Sequence, residues 1–263
     1  MTLVAQAMAK FRRSARSLPI DCAACRTSSE GLCQNCAQAV RGALENYKSG
    51  DRAIKAGDDL FRQSDSAGAL YHLTDGWIFL YSLFGDGRRQ ILHFALPGAF
   101  LGLYPGTVAV YGAEALTDAQ VCVIPQDNIA ALVEEQPGIA LRLASTVWRE
   151  RNIAYDHLSS IGRSSARQRV ARLLLELFVR YRMMWPVSRS EEMQLPLTQE
   201  HIGDATGLTG IHVNRVLRGL GREKIVQFHY RRLHILNPDK LADVAGVDPH
   251  AILSWTGRHP PPQ

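Results

Sequence analysis

Four cysteines, Cys22, Cys25, Cys33 and Cys36, fall within fifteen residues, and a fifth, Cys122, stands alone downstream. Thiolates are soft donors that hold zinc and iron–sulfur clusters, and they also do redox chemistry. A disulfide framework suits small secreted chains; in a chain of 263 residues clustered thiols read as a metal or redox site. The spacing Cys22-x2-Cys25-x7-Cys33-x2-Cys36 allows a zinc site made of all four thiolates, although the central gap is short beside the usual gap of about 15–20 residues. Cys122 falls in a predicted strand and, taken alone, reads as a buried apolar thiol.

A second group of residues points to a different chemistry. The segment from Leu197 to Leu217 predicts two short helices joined by a glycine turn. Thr198 can cap the first helix, which carries Ile202 and Ala205, and Gly207 supplies the positive φ that ends it. Thr209 can cap the second, whose Val213, Val216, Leu217 and Leu220 face inward. That leaves Gly210, Ile211, Asn214, Arg215 and Arg218 on or near the outer face. Arg can read guanine and Asn can read adenine in the major groove, and His212, near the helix start, could contact phosphate. After them, 225–228 and 232–236 flank His229-Tyr230-Arg231, which reads as a basic-tipped hairpin wing. From Arg163 to Arg232 there are 13 Lys/Arg and 6 Asp/Glu, a local charge of +7, against −2 for the remainder of a chain whose net is +5. Such asymmetry suggests a polyanion, which beside a helix-turn-helix would be double-stranded DNA, although from charge alone a solvated charged surface is the plainer reading.

These residues need a frame. With 46% hydrophobic and 21% charged residues, the chain is globular rather than disordered. Residues 1–40 form a cysteine-bearing leader. From 41 to 135 the texture is mainly β. Strands are expected at 70–73, 77–83, 90–96, 108–111 and 119–124, with turns at Thr74-Asp75-Gly76, Gly85-Asp86-Gly87 and Pro97-Gly98. Short strands with frequent turns indicate an antiparallel roll. A short helix at 126–135 follows. Residues 136–162 predict a long helix on which Ala140, Ala144, Val147, Arg151, Ala154, Leu158 and Ile161 repeat at spacings of 4, 3, 4, 3, 4, 3. This is a heptad seam suited to a dimer or to packing on the chain's own roll. Residues 163–240 make a small helical domain, with Ser164 as a helix cap, Val170, Leu173, Leu174, Leu177 and Tyr181 on one face of the helix that follows, and a stop at Pro186. Residues 241–263 form a tail. No run reaches the roughly 18 apolar residues of a membrane span. Met1 to Ile20 holds Lys10, Arg12, Arg13 and Arg16 without an apolar stretch after them, so a cytoplasmic location is the expectation. HExxH, P-loop and Gly-x-Ser-x-Gly motifs are missing, which argues against an enzyme.

An α+β chain with an antiparallel β-roll, a long dimerisation helix and a winged helix-turn-helix, in that order, resembles the CRP/FNR superfamily of bacterial transcription regulators. The likeness is carried by Gly57-Asp58-Asp59-Leu60-Phe61, Leu73-Thr74-Asp75-Gly76, Pro97-Gly98-Ala99-Phe100-Leu101-Gly102, the helix 138–162, and 197–225. The resemblance implies a homodimer that binds pseudo-palindromic sites and touches RNA polymerase. Gly85 and Asp86 resemble the polymerase-contacting hairpin, although a tip is also simply a turn. Cyclic-nucleotide binders of the family use a Gly-Glu and an Arg-Ser pair. Here Leu103 stands where the Glu would be, and Tyr111-Gly112-Ala113 where the Arg-Ser pair would be. An anion left unpaired binds poorly, so no cyclic nucleotide is expected.

The pattern Cys22-x2-Cys25-x7-Cys33 with Cys122 resembles oxygen-sensing FNR-type members. It implies that these four thiolates hold a [4Fe–4S] cluster, with Cys36 an alternative for Cys33 or Cys122. In that branch the intact cluster packs the leader against the dimer helix, and oxygen weakens the dimer. Structural zinc or thiol redox sensing stays open beside it. Two features depart from the FNR pattern Glu-x-x-Ser-Arg. Ile211 replaces Glu and Asn214 replaces Ser, so a different operator base is expected at that pair. His212-Val213-Asn214-Arg215 is similar to another branch of the superfamily. Arg151 also interrupts the seam. It would repel its symmetry mate unless paired, for example with the mate's Glu150, or it would lie outward and inert.

Overall fold

A computed structural model describes residues 38–66, 68–102, 108–184, 192–248, 252 and 255. Cys22, Cys25, Cys33, Cys36, Leu103, Pro186 and residues 256–263 of the expected tail lie outside the described residues. The chain divides into two compact units. The first comprises 1–78 and 95–140, and the second 79–94 and 141–263.

The first unit opens with helix α1 (Gln38–Tyr47), then β1 (Gly50–Ile54), β2 (Asp59–Phe61) and β3 (Ala69–Asp75). It continues after residue 95 with β6 (Phe100–Leu101), β7 (Gly112–Ala115), β8 (Ala119–Pro125) and helix α2 (Gln126–Glu135). One antiparallel sheet runs β1-β8-β3-β6, and β2 pairs antiparallel with β7. Alternation along β8 sends Ala119 and Val121 into the core, where Leu70, Leu73, Ile78, Ala113 and Leu132 are also buried. The strand expected at 108–111 forms instead at 112–115. Val108 makes only an isolated bridge to Ser66. Gly112 and Ala113 are small enough to be fully buried in the sheet, while Val108 and Val110 are exposed. Apolar β-branched residues mislead here because burial, not propensity, places this strand.

In β8, Cys122 stands opposite Asp51 of β1 and His72 of β3. Directly opposed residues share a sheet face. Cys122 is half-buried rather than buried as the bare residue suggests. His72 is buried and stacks on Phe100 at 4.7 Å, and its Nε2 has no hydrogen-bond partner among the described residues.

The second unit holds the hairpin β4 (Ile78–Leu83)–β5 (Arg89–Ala95), where β4 begins one residue before the unit. It also holds α3 (Gly138–Arg163), α4 (Ala166–Met184), β9 (Glu192–Gln194), α5 (Gln199–Thr206), α6 (Gly210–Arg222), β10 (Val226–His229), β11 (Arg232–Ile235) and α7 (Pro238–Ala245). The cap of α4 is Ser165, one residue past the expected Ser164. Ser165 Oγ accepts from Gln168 N at 3.3 Å, and Gln168 Oε1 accepts from Ser165 N at 2.9 Å. This reciprocal pair is a capping box. Val170, Leu173, Leu174 and Leu177 of α4 are buried as the period predicts, and Tyr181 is half-buried. Leu241 and Ala245 of α7 are buried too. The helical domain therefore runs past 240, the boundary expected from sequence.

The faces of α3 divide cleanly. Ile139, Leu143, Thr146, Ile153 and Ser160 are buried. Of the seam residues, Ala140 is half-buried, and Ala144, Val147, Arg151, Ala154, Leu158 and Ile161 are exposed. On the half-buried side lies a charged cluster. Glu176 of α4, 1% exposed, takes Nη1 of Arg180 at 2.8 Å and meets Nε2 of His157 of α3. Arg172 Nε donates to Asp156 at 2.7 Å. Burial would lower the His157 imidazole, but the Glu176 carboxylate outweighs it and the net direction is upward. Burial pushes Glu150 up to about 7, against the pull of Arg149 and Arg180.

Both raised groups bind protons more tightly folded than unfolded, so both lose stabilisation as pH rises. Glu150 does so between its ordinary 4.5 and about 7, and His157 as pH climbs from 6.5 through its raised value. Relative to Glu150→Gln, which cannot ionise, the melting midpoint of the unaltered protein should therefore fall as pH rises from 4.5 through about 7. A difference between the two proteins that is flat or rising over that window contradicts the assignment.

Candidate nucleic-acid interface

The reading module is assembled by local chemistry. Thr198 has extended backbone angles, and its Oγ1 accepts from His201 N at 3.1 Å. His201 Nδ1 accepts in return from Thr198 N at 3.3 Å. This works as a capping box with His in the place of Glu. It requires Nδ1 to be unprotonated. Burial first, and then the Arg89 charge, hold that imidazole below its usual range. Gly207, at φ 65°, ends α5 in the left-handed region, as expected.

Sequence reasoning passes over Gly203. A Cβ there would lie 2.5 Å from the main-chain oxygen of Leu208. Leu208 N also donates to Gly203 O at 3.0 Å. The turn thus folds back on α5 with no room for a methyl group. A small residue four positions before the turn glycine was the available signal.

Thr209 caps α6, its Oγ1 accepting from His212 N at 3.3 Å. Val213, Leu217 and Leu220 are buried, and Val216 is only half-buried. On the other side Thr209, Ile211, His212, Arg215 and Arg218 are exposed, Ile211 by 79%. Gly210 and Asn214 are half-buried at the margins, as is Thr198. The structure therefore gathers the expected base-reading and phosphate-reading residues on one face. Beyond them β10 pairs with β11, and β11 with β9, a strand absent from the sequence reading. The wing tip is a two-residue turn of Tyr230 (φ 49°) and Arg231 (φ 61°), with Tyr230 fully exposed.

Several arginines of the basic segment serve the fold. Arg167 makes two 2.7 Å bonds to Glu223, Arg169 donates to Thr206 O at 2.8 Å, and Arg172 and Arg180 pair with Asp156 and Glu176. The net of +7 already sets Arg167 against Glu223 and Arg180 against Glu176; Arg215 and Arg218 stand exposed on the reading face. The hairpin tip is also exposed: Asp86 accepts from Arg88 N at 3.0 Å and Nε at 2.7 Å beside Gly85.

Comparisons with known proteins agree with this geometry. Residues 168–244 match the Crp-like helix-turn-helix domain, and residues 51–136 the cyclic nucleotide-binding domain. The chain is 30% identical to the nitrogen fixation regulation protein FixK of Bradyrhizobium diazoefficiens, over 86% of this chain and 94% of that one. The chain belongs to the CRP/FNR family of transcription regulators. It is also 33% identical to the transcriptional activatory protein AadR of Rhodopseudomonas palustris, over 72% of this chain and 78% of AadR. The solved structure of FixK2 from Bradyrhizobium japonicum matches with a TM-score of 0.68 at 29% identity, covering 75% of this chain and 98% of that one. As a CRP/FNR protein, the chain is a DNA-binding regulator and not an enzyme. No helix among the described residues is long and apolar enough to cross a membrane.

Two substitutions separate the roles within the CRP/FNR reading head. Gly203→Ala should destabilise by about 1–3 kcal/mol through overpacking at the turn, read by urea unfolding. Arg215→Ala should leave stability unchanged, weaken specific DNA binding by about 1–3 kcal/mol and make affinity less salt-dependent. An unchanged affinity would remove Arg215 from the reading face.

Proposed function

We propose that the chain is a homodimeric transcription regulator that reads a pseudo-palindromic operator and answers to oxygen or a related redox signal through a [4Fe–4S] cluster. The observation that carries the dimer is the exposed seam of α3. Val147, Trp148, Tyr155 and Leu158 are each more than half exposed on a helix whose other face is buried. A heptad of such residues favours a second helix over water. Arg151 lies 4.1 Å over the Trp148 ring and 5.8 Å from that of Tyr155. It thus covers aromatic faces of its own helix. Glu150 lies half-buried on the other side, under the influence of its own chain's Arg149 and Arg180. A cross-dimer Arg151–Glu150 pair is therefore not supported.

For the cluster, the support is chemical. Three thiols at Cys22, Cys25 and Cys33 precede the roll, and Cys122 presents a half-buried thiol at mid-strand. A buried imidazole nitrogen without a partner among the described residues, His72 Nε2, stands in the opposing strand. Soft donors at a partly shielded position fit an iron–sulfur ligand. The chain's part is to supply the fourth thiolate from a rigid strand, so that loss of the cluster releases the leader. When bound, the cluster supplies an oxygen-labile inorganic core. Gly85 and Asp86 of the exposed hairpin tip are the proposed RNA polymerase contact.

Protein purified without oxygen should show a broad visible band with iron and sulfide, bleaching in air. Cys22→Ser and Cys25→Ser should lack it. A colourless protein with stoichiometric zinc on Cys22, Cys25, Cys33 and Cys36 would replace the cluster with a structural site. Separately, Leu158→Glu should shift the protein to monomer in sedimentation and lower operator affinity at least tenfold; a stable dimer would remove the seam from the interface.

A further inference from the structure

The β4–β5 hairpin holds the reading module at two places. At the first, Arg89 Nε donates to Asp204 Oδ2 of α5 at 3.1 Å, the two side chains only 23% and 24% exposed. The Arg89 guanidinium lies 4.8 Å over the Phe79 ring, and that ring meets His201 at 5.6 Å. Gln90 Nε2 reaches Ala205 O at 3.4 Å. At the second, Arg180 of α4 donates from Nη2 to Phe94 O at 2.8 Å, and the same nitrogen lies 3.3 Å from His93 Nε2. Its other arm holds Glu176, which reaches His157 of α3.

None of these groups is on the reading face formed by Ile211, His212, Arg215 and Arg218. They act on what carries it. Helix α5 has eight residues, too few to be stable alone. Its seat therefore depends on neighbours, and α6 follows it through the tight turn at Gly203. A guanidinium locked over an aromatic ring and bonded to a shielded carboxylate is a directional anchor. Such an anchor holds one orientation in advance of binding, which reduces what association must order.

We propose that Arg89 and Arg180 are positioning residues for DNA binding, and that the β4–β5 hairpin is a clasp holding the helix-turn-helix in its reading orientation. This rests on α6 being the DNA-reading helix. The Arg89–Asp204 contact gives a test in which charge and position predict opposite signs. Asp204→Arg adds positive charge, so electrostatics alone predicts tighter DNA binding; the clasp predicts weaker binding.

The probe is a duplex selected by the unaltered protein from random-sequence DNA, titrated at several salt concentrations with Arg89→Glu, Asp204→Arg and the double variant. Each single variant should bind at least tenfold more weakly, with the salt slope of the unaltered protein, because no phosphate contact is lost. The double variant should recover to within about threefold, since the anchor is rebuilt in reverse. Arg89→Lys should fall between. Amide hydrogen exchange in α5 without DNA should quicken in both single variants and recover in the double. Tighter binding by Asp204→Arg, a reduced salt slope for Arg89→Glu, or a double variant as weak as the singles would overturn the clasp. If the unaltered protein selects no duplex, the DNA-reading assignment fails instead, and the exchange data still judge the clasp.

Discussion

A carboxylate 1% exposed cannot stand alone in a protein interior. Glu176 sits at that depth, and much of the second unit is arranged around satisfying it. Left unpaired, such a charge would cost several kcal/mol. His157 supplies one partner from α3 and Arg180 another from one turn further along α4. Arg180 in turn commits its second arm to the main chain of β5. One buried charge thus draws a long helix, the first helix of the reading domain and a strand of the hairpin into a single polar knot. Replacing such a pair by apolar residues of similar volume is often neutral or stabilising. An apolar substitute of the same volume would pack as well but would not specify which groups meet.

The opposite side of α3 follows a different logic. Apolar and aromatic residues there are left to water in the single chain, and Arg151 shields two of the rings. A helix that buries one face at home and leaves the other apolar and exposed has two hydrophobic faces but only one folding task. That explains why the heptad is visible in sequence while its purpose stays undecided between intrachain and interchain packing. Periodicity reports that a face is apolar, not what covers it.

Legibility tracks the range of the interactions involved. The caps at Thr198 and Thr209 and the glycine at 207 are local, and all three are readable. The heptad of α3 and the inward face of α4 are readable from spacing. Ser165 is missed by one residue, because Ser164 and Ser165 are equivalent until Gln168 selects between them. Strand β7 is displaced because Gly112 and Ala113 have weak strand propensity, and only the tight interior favours them. His93 has no visible partner in the sequence, since Arg180 is distant along the chain and reaches it only through the fold. The short strand β9 gives no signal at all, having no turn or alternation of its own.

The close approach at Gly203 has a consequence for how such a protein can change its targets. Gly203 of α5 meets the turn at Leu208 main chain against main chain, not through the exposed side chains of α6. Ile211 and Asn214 can therefore be exchanged for other residues without disturbing the frame that presents them. The module resembles a holder for movable type, in which the letters are replaced and the press stays aligned. New binding sites become reachable by single substitutions at the surface, each nearly neutral for folding. The same architecture forbids variation at one inconspicuous glycine buried beneath the turn.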